Sequence, residues 1–327
     1  MSTTPQKSPP STATRPRHDF HEIHVNTLRV NSILPFQLFT RIEGEFIVYR
    51  RENLPFTQNQ RVALIDNDVQ VLYVLPEEID FYWLYLNDSI HKLIDTEDDP
   101  LENRASVFYR STFELSKRIY DVPLGHENVD KVQDLVTTSV EYLDQKQRLH
   151  ELMPAMEQHP TVYSHSLNVS QFGLALAREI GISSKAELEA IGMGLLLQDY
   201  GMLQIPESLL FKEGPLSFDE WAAVKRHPSY GVEILDRIAE VPAVTREIVF
   251  SHHERLDGSG YPQGLSGAEL SLPVRIAGLV DVFCSLISTR PYREAYTTFE
   301  ALEILTSDLD RLFDRKLFAV FVKTLGV

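Results

Sequence analysis

The sequence has a single cysteine, Cys284, so no disulfide can form within the chain and the composition fits a reducing compartment. It has no run approaching the roughly 18 uninterrupted apolar residues of a membrane span. Its N-terminus lacks the apolar core of a secretion signal. These absences lead to the expectation of a cytoplasmic protein. Positive charge is also scarce: 31 Lys and Arg stand against 47 Asp and Glu, a formal charge of −16. Such a chain repels a phosphate backbone as a whole, which argues against a nucleic-acid polymer as partner. A small anion in a local basic site remains compatible with it. What is present is ordinary for a globular chain of 327 residues, with 43% hydrophobic and 24% charged residues, long enough for two domains.

Composition changes along the chain mark four stretches. Residues 1–18 are rich in Pro, Ser and Thr with little to bury, which predicts a disordered tail. Residues 19–100 carry five short β-branched and aromatic segments bounded by turn residues: FHEIHVNTLRV, PFQLFTRI, EFIVYRR, RVALI and VQVLYVL. They predict a small antiparallel sheet or partial barrel, with FYWLYLNDSIHKLI as a covering helix. No phosphate loop or catalytic spacing occurs there, and the role of this β-rich domain is not legible. Residues 101–158 have apolar positions every three or four residues and read as a helical connector. Its stripe of Val129, Val132, Leu135, Val136, Val140 and Leu143 suits a homodimer seam or the chain's own core, and both stay open.

Residues 159–327 read as an all-α domain. Three Ser/Thr-x-x-Glu patterns mark helix starts (Ser184 with Glu187, Ser217 with Glu220, Thr297 with Glu300), Gly181 marks an end, and Pro273 a beginning. The fold class expected is thus a small β-rich α+β domain followed by an all-helical one.

The polar residues on inward faces of these helices form a pattern. His165 shares a stripe with Val169, Phe172 and Leu176; Asp199 follows the apolar end GMGLLLQ; His227 is expected to close the helix begun at Ser217. His252 and His253 head the stretch HHERLDGSGYP, and Asp281 lies among the small residues Ala277, Gly278, Cys284 and Ser285. From His165 through Asp199, His227 and His252 to Asp281 the intervals are 34, 28, 25 and 29 residues, about one helix each. An uncompensated buried carboxylate is costly, and a divalent cation compensates it. Mixed imidazole and carboxylate ligands suit iron, manganese, zinc or nickel. A carboxylate bridging two such ions is the arrangement for hydrolysing a phosphodiester.

HHERLDGSGYP, with DVFCSLISTRPYR downstream, resembles the HD-GYP family, the cyclic di-GMP phosphodiesterase branch of the HD metal-dependent phosphohydrolases. The resemblance covers about residues 160–296. It implies an HD-type helical domain with a centre of two or three divalent ions, often iron or manganese, acting on cyclic di-GMP to give pGpG or GMP. It matches His165, Asp199, His227, His252, His253 and Asp281 to metal ligands, with Asp199 as the bridging, catalytic carboxylate. Gly260, Tyr261 and Pro262 match the loop bordering substrate, and Arg290 and Arg293 match basic positions that hold substrate phosphate.

Three positions depart from that pattern. The name-giving His-Asp pair is Gln198-Asp199, and an amide oxygen is a poorer transition-metal ligand than imidazole. Met202 stands where a lysine is usual, and Thr161 where three-metal members have glutamate. The expectation is a cyclic di-GMP-binding signalling protein holding one ion rather than two or three, with weak or no phosphodiesterase activity. The alternatives are an active phosphodiesterase with an altered centre and a catalytically dead protein-interaction module. Action on another nucleotide is a further reading, against which GYP and RPYR count.

Overall fold

The computed structural model describes residues 20–95, 101–145, 148–156, 161–210, 212, 214–238, 240–290 and 293–326. The tail expected to be disordered lies outside them. Two compact units divide the chain, residues 1–85 and 86–327.

The first unit is a small antiparallel sheet region. Strands β1 (His21–His24), β2 (Ile33–Leu34), β3 (Leu38–Ile42), β4 (Glu45–Arg50), β5 (Leu54–Pro55) and β6 (Val71–Val74) form a four-stranded sheet of order β1-β6-β3-β4 and a separate β2-β5 pair. The long segment expected after Phe20 is a strand only as far as His24. There the His24 Nδ1 accepts from the Asn26 amide (3.0 Å), the Thr27 hydroxyl donates to the His24 carbonyl (2.7 Å), and the chain turns.

One expected strand is a helix. RVALI lies within α1 (Gln58–Asp66), because Thr57 and Gln60 make a reciprocal capping box. Gln60 N–H donates to Thr57 Oγ1 (3.3 Å), and Thr57 N–H donates to Gln60 Oε1 (2.9 Å). The residues this helix buries, Arg61 and Leu64, are three apart, a helical and not a strand period. Helix α2 (Ile79–Asp95) does supply the expected aromatic cover: Tyr82 and Tyr85 meet Phe36 edge-on at 5.6 and 5.5 Å.

The second unit is helical: α3 (Leu101–Asp121), α4 (His126–Tyr142), α5 (Arg148–Leu152), α6 (Val162–Glu179), α7 (Lys185–Leu197), α8 (Glu207–Leu210), α9 (Phe218–Val224), α10 (His227–Leu235), α11 (Ala243–Ser251), α12 (Leu272–Leu286), α13 (Thr298–Leu312) and α14 (Arg315–Thr324). The stripe on α4 is covered within the chain: Val132, Leu135, Val136 and Val140 are buried in the core shared with α3 and α7. Gly192 of α7 lets them close, since a Cβ there would lie 2.6 Å from Val136 Cγ1. At the centre of the unit is α6, with Phe172 edge-on to Phe283 (5.3 Å) and Phe321 (6.3 Å). Gly181, at φ +98°, ends it as expected.

The helix begun at Ser217 stops at Val224, so His227 does not close it but opens α10. Pro228 explains the break, since proline has no N–H to donate and fits only the first turn of a helix. Among the described residues no helix is long and apolar enough to cross a membrane.

Phe172 is 1% exposed. Phe172→Ala is expected to cost about 3–5 kcal/mol of stability, from lost burial plus the cavity left behind. A urea midpoint within experimental error of the parent's would contradict this role for the α6–α12–α14 core.

Candidate metal centre

Helix ends converge to make the site. The first turn of α6 carries His165, the residues just past α7 are Gln198 and Asp199, and His227 begins α10. His252 and His253 follow α11, and Asp281 comes from the middle of α12. After Asp199 the chain turns through a short 3-10 segment, Tyr200–Gln204, which lies directly on α10. Only glycine permits that approach: a Cβ on Gly201 would be 2.0 Å from the His227 carbonyl oxygen and 2.5 Å from Gly231 N.

The hydrogen bonds set the histidine tautomers. His227 Nδ1 is 2.9 Å from the Val224 carbonyl and His252 Nδ1 is 3.0 Å from that of Val249. A carbonyl can only accept, so both Nδ1 atoms carry the proton and both Nε2 atoms are the basic ones. Those two Nε2 atoms face each other at 3.3 Å, and Asp199 Oδ1 lies 3.3 Å from the first and 3.7 Å from the second. Three electron-rich atoms converge in a buried space, which is a fit to a cation. Tying the distal ring nitrogen to a carbonyl is how metal-binding imidazoles are held.

On the other side, His165 Nε2 is 3.0 Å from Asp281 Oδ1 and 3.7 Å from Asp199 Oδ2. Asp199 therefore offers one oxygen to each group. Ligand atoms of Asp199, His227, His252 and His253 all lie within 4.8 Å of one another, as do those of His165, Asp199 and Asp281. His253 Nδ1 is 3.7 Å from Asp281 Oδ2 and joins the two sides.

Burial pushes the Asp199 carboxyl up, but where the imidazoles are protonated the hydrogen bond from His252 and the charges of His227, His252 and His165 outweigh burial and hold it far below the usual range. Asp281 behaves alike, lowered by its His165 hydrogen bond and by His253, His165 and His252 against burial. Burial dominates at His227 and His253 and lowers both. At His165 burial lowers the imidazole, yet the hydrogen bond and charge of Asp281, with that of Asp199, leave it raised.

The positions that depart from the resemblance have distinct surroundings. Gln198 is fully buried; its Nε2 donates to Asp281 Oδ1 (3.1 Å), the oxygen that His165 also contacts, and its Oε1 is buried without a hydrogen-bond partner among the described residues. Thr161 caps α6, accepting from Ser164 N–H (3.1 Å). Met202 is half-buried in the 3-10 turn. Tyr200 turns away from the centre: its hydroxyl donates to the Val122 carbonyl (3.0 Å) and accepts from Leu124 N–H (2.8 Å).

The loop after the histidine pair folds back on them. Tyr261 stacks on His253, centroids 4.6 Å apart, and its N–H donates to the His253 carbonyl (3.3 Å). Gly260 allows this, because a Cβ would lie 2.4 Å from Glu254 Cα and 2.5 Å from the His253 carbonyl oxygen. Pro262 is exposed beside it. Sequence reasoning missed what holds the loop: buried Glu254 accepts from the amides of Gln263 (2.7 Å), Gly264 (3.1 Å) and Leu265 (3.0 Å). Its place between a histidine pair and a Gly-rich turn was the available signal.

Arg290 and Arg293 differ. Arg293 donates to the carbonyls of Leu286 (3.0 Å), Ser285 (3.0 Å) and Glu294 (2.8 Å) and lies over the Tyr296 ring, closing the end of α12. Arg290 donates to Ser285 Oγ (2.9 Å), and its charge opposes protonation of His165.

These shifts give a pH dependence whose sign can be worked out for chelator-treated protein. His227 and His253 are lowered in the fold, so below about pH 6.5, the unfolded value, the unfolded chain takes up protons that the folded one does not. Their contribution is present above that pH and lost as it falls. The raised His165 works oppositely, stabilising at low pH and losing that contribution as pH rises through its folded value. His253→Gln should shrink the drop in urea midpoint between about pH 7.5 and about pH 5.5. An unchanged drop would remove His253 from this account.

The HD domain family profile matches residues 131–317. The chain is similar to the cyclic di-GMP phosphodiesterase response regulator RpfG of Xanthomonas campestris pv. campestris, at 44% identity over 42% of this chain and 37% of that one. It is also similar to the 3'3'-cGAMP-specific phosphodiesterase 2 of Vibrio cholerae, at 32% identity over 66% of this chain and 41% of that one. The chain thus spans about two fifths of the length of these curated relatives. Among solved structures it shares its fold with Bd1817, a HDG"Y"P protein from Bdellovibrio bacteriovorus, with a TM-score of 0.70 and 23% identity over 94% of this chain and all of that one.

Proposed function

Because the chain belongs to the HD domain family, we propose that it is an HD-GYP-like signalling protein that binds a cyclic dinucleotide, cyclic di-GMP first, and at least one divalent ion, with weak or no phosphodiesterase activity. The observation that carries this is the asymmetry of the centre. On one side His227 and His252 turn their basic Nε2 atoms to Asp199 Oδ1, and His253 completes the set. On the other an amide, Gln198, donates to Asp281 Oδ1 and so competes with a cation for that oxygen.

Asp199, His227, His252 and His253 would hold the ion, with iron or manganese suited to that mixed set. Once bound, such an ion neutralises phosphate charge and makes water a better nucleophile. The chain's own residues bind and orient. Arg290 brings positive charge to the His165 side, while Tyr261, stacked on His253, offers a ring edge at the rim. Met202 has no proton for a leaving oxygen, which supports low turnover. One observation favours the alternative, an active phosphodiesterase: Gln198 Oε1 is without a partner, so the amide could turn it toward an ion shared with His165 and Asp281.

Protein purified without chelator is expected to carry about one tightly held ion per chain by elemental analysis. Asp199→Ala should lose it, and Gln198→His should take up a second. Two ions at full occupancy in the parent would overturn the asymmetric reading. With excess manganese, cyclic di-GMP turnover should be slight, and Gln198→His combined with Met202→Lys should raise it. Vigorous turnover by the parent, abolished in Asp199→Ala, would establish the active alternative.

A further inference from the structure

Resting on that reading, one cation remains to be accounted for. Lys225 follows α9 two residues before His227, and its Nζ lies 5.8 Å from the centre of the Tyr261 ring. That same ring stacks on His253 at 4.6 Å. Lys225 is therefore one ring away from the candidate ligand His253. Its amine has no carboxylate within ion-pairing distance among the described residues, whereas Lys212 and Lys185 reach glutamates at 2.5 and 2.7 Å. A half-buried lysine at the rim, with no anion of its own among the described residues of a chain of net charge −16, is placed to receive one from outside.

Arg293 is a weaker candidate for that duty. Its guanidinium donates to four carbonyls at 2.8–3.4 Å, and taking it for a ligand would uncap α12. We propose that Lys225, steadied over the Tyr261 ring, is a phosphate-binding residue of this site, holding the substrate's phosphodiester beside the ring that stacks on His253. The cation absent at Met202 is thereby supplied from a different helix end.

Calorimetry on the full chain loaded with manganese tests this, with cyclic di-GMP and inorganic phosphate as separate probes. Lys225→Met keeps the length and packing of the side chain and removes the charge. It is expected to weaken cyclic di-GMP binding roughly tenfold and flatten its salt dependence, with bound manganese and melting temperature unchanged. Lys225→Arg should restore binding to within about threefold of the parent. Parent-like binding by Lys225→Met overturns the proposal, as does loss of manganese from it, which would make Lys225 structural. If the parent binds phosphate but not cyclic di-GMP, the cyclic-dinucleotide reading fails, and loss of phosphate binding in Lys225→Met still upholds Lys225. A parent that binds neither probe overturns both.

Discussion

Three electron-rich atoms set the terms for the helical unit. The Nε2 atoms of His227 and His252 and the Oδ1 of Asp199 occupy one buried space, and the tautomers are fixed from behind by the carbonyls of Val224 and Val249. Such a cluster is unfavourable without positive charge between its members. Its cost has to be offset by the well-packed apolar body around it. The helix ends are packed closely: α6, α7, α11 and α12 contribute to one continuous core, and glycines at 201, 260 and 278 allow backbone to close directly on the segments bearing the ligands.

That close packing also fixes the surroundings of single residues near the centre. Gln198 is fully buried, with its donor on Asp281 and its acceptor without a partner among the described residues. A buried amide with one end unmatched is a cost carried by the fold, and it falls on the His165 side of the centre, where its donor meets Asp281. Glu254 does the opposite for the loop. Three amides on one carboxylate fix Gly260 and Tyr261 against His253, so the rim of the site is built into the fold.

Much of this was legible in the chain because helical periodicity and ligand chemistry are local or near-local signals. The caps at Ser217 and Thr297, the end at Gly181 and the inward placement of the six His and Asp residues all follow from spacing. The errors were equally local. RVALI has strand-forming residues, but the capping box at Thr57 outweighs a weak propensity. The helix after Ser217 ends at Val224 and not at the expected His227, because Pro228 sits in the first turn of the next helix.

The sequence by itself determined a β-rich region followed by helices, and a set of imidazole and carboxylate ligands arriving about one helix apart. Side-chain period and ligand type are carried by the residues themselves. Only the tertiary structure decided which atoms face which. It gave Asp199 one oxygen to each group, turned Tyr200 away to the Val122–Leu124 turn, committed Arg293 to the end of α12 and set Lys225 over Tyr261. Those choices depend on where distant helix ends meet, and no spacing along a chain encodes the contact between residues 28 or 83 positions apart until the core brings them together.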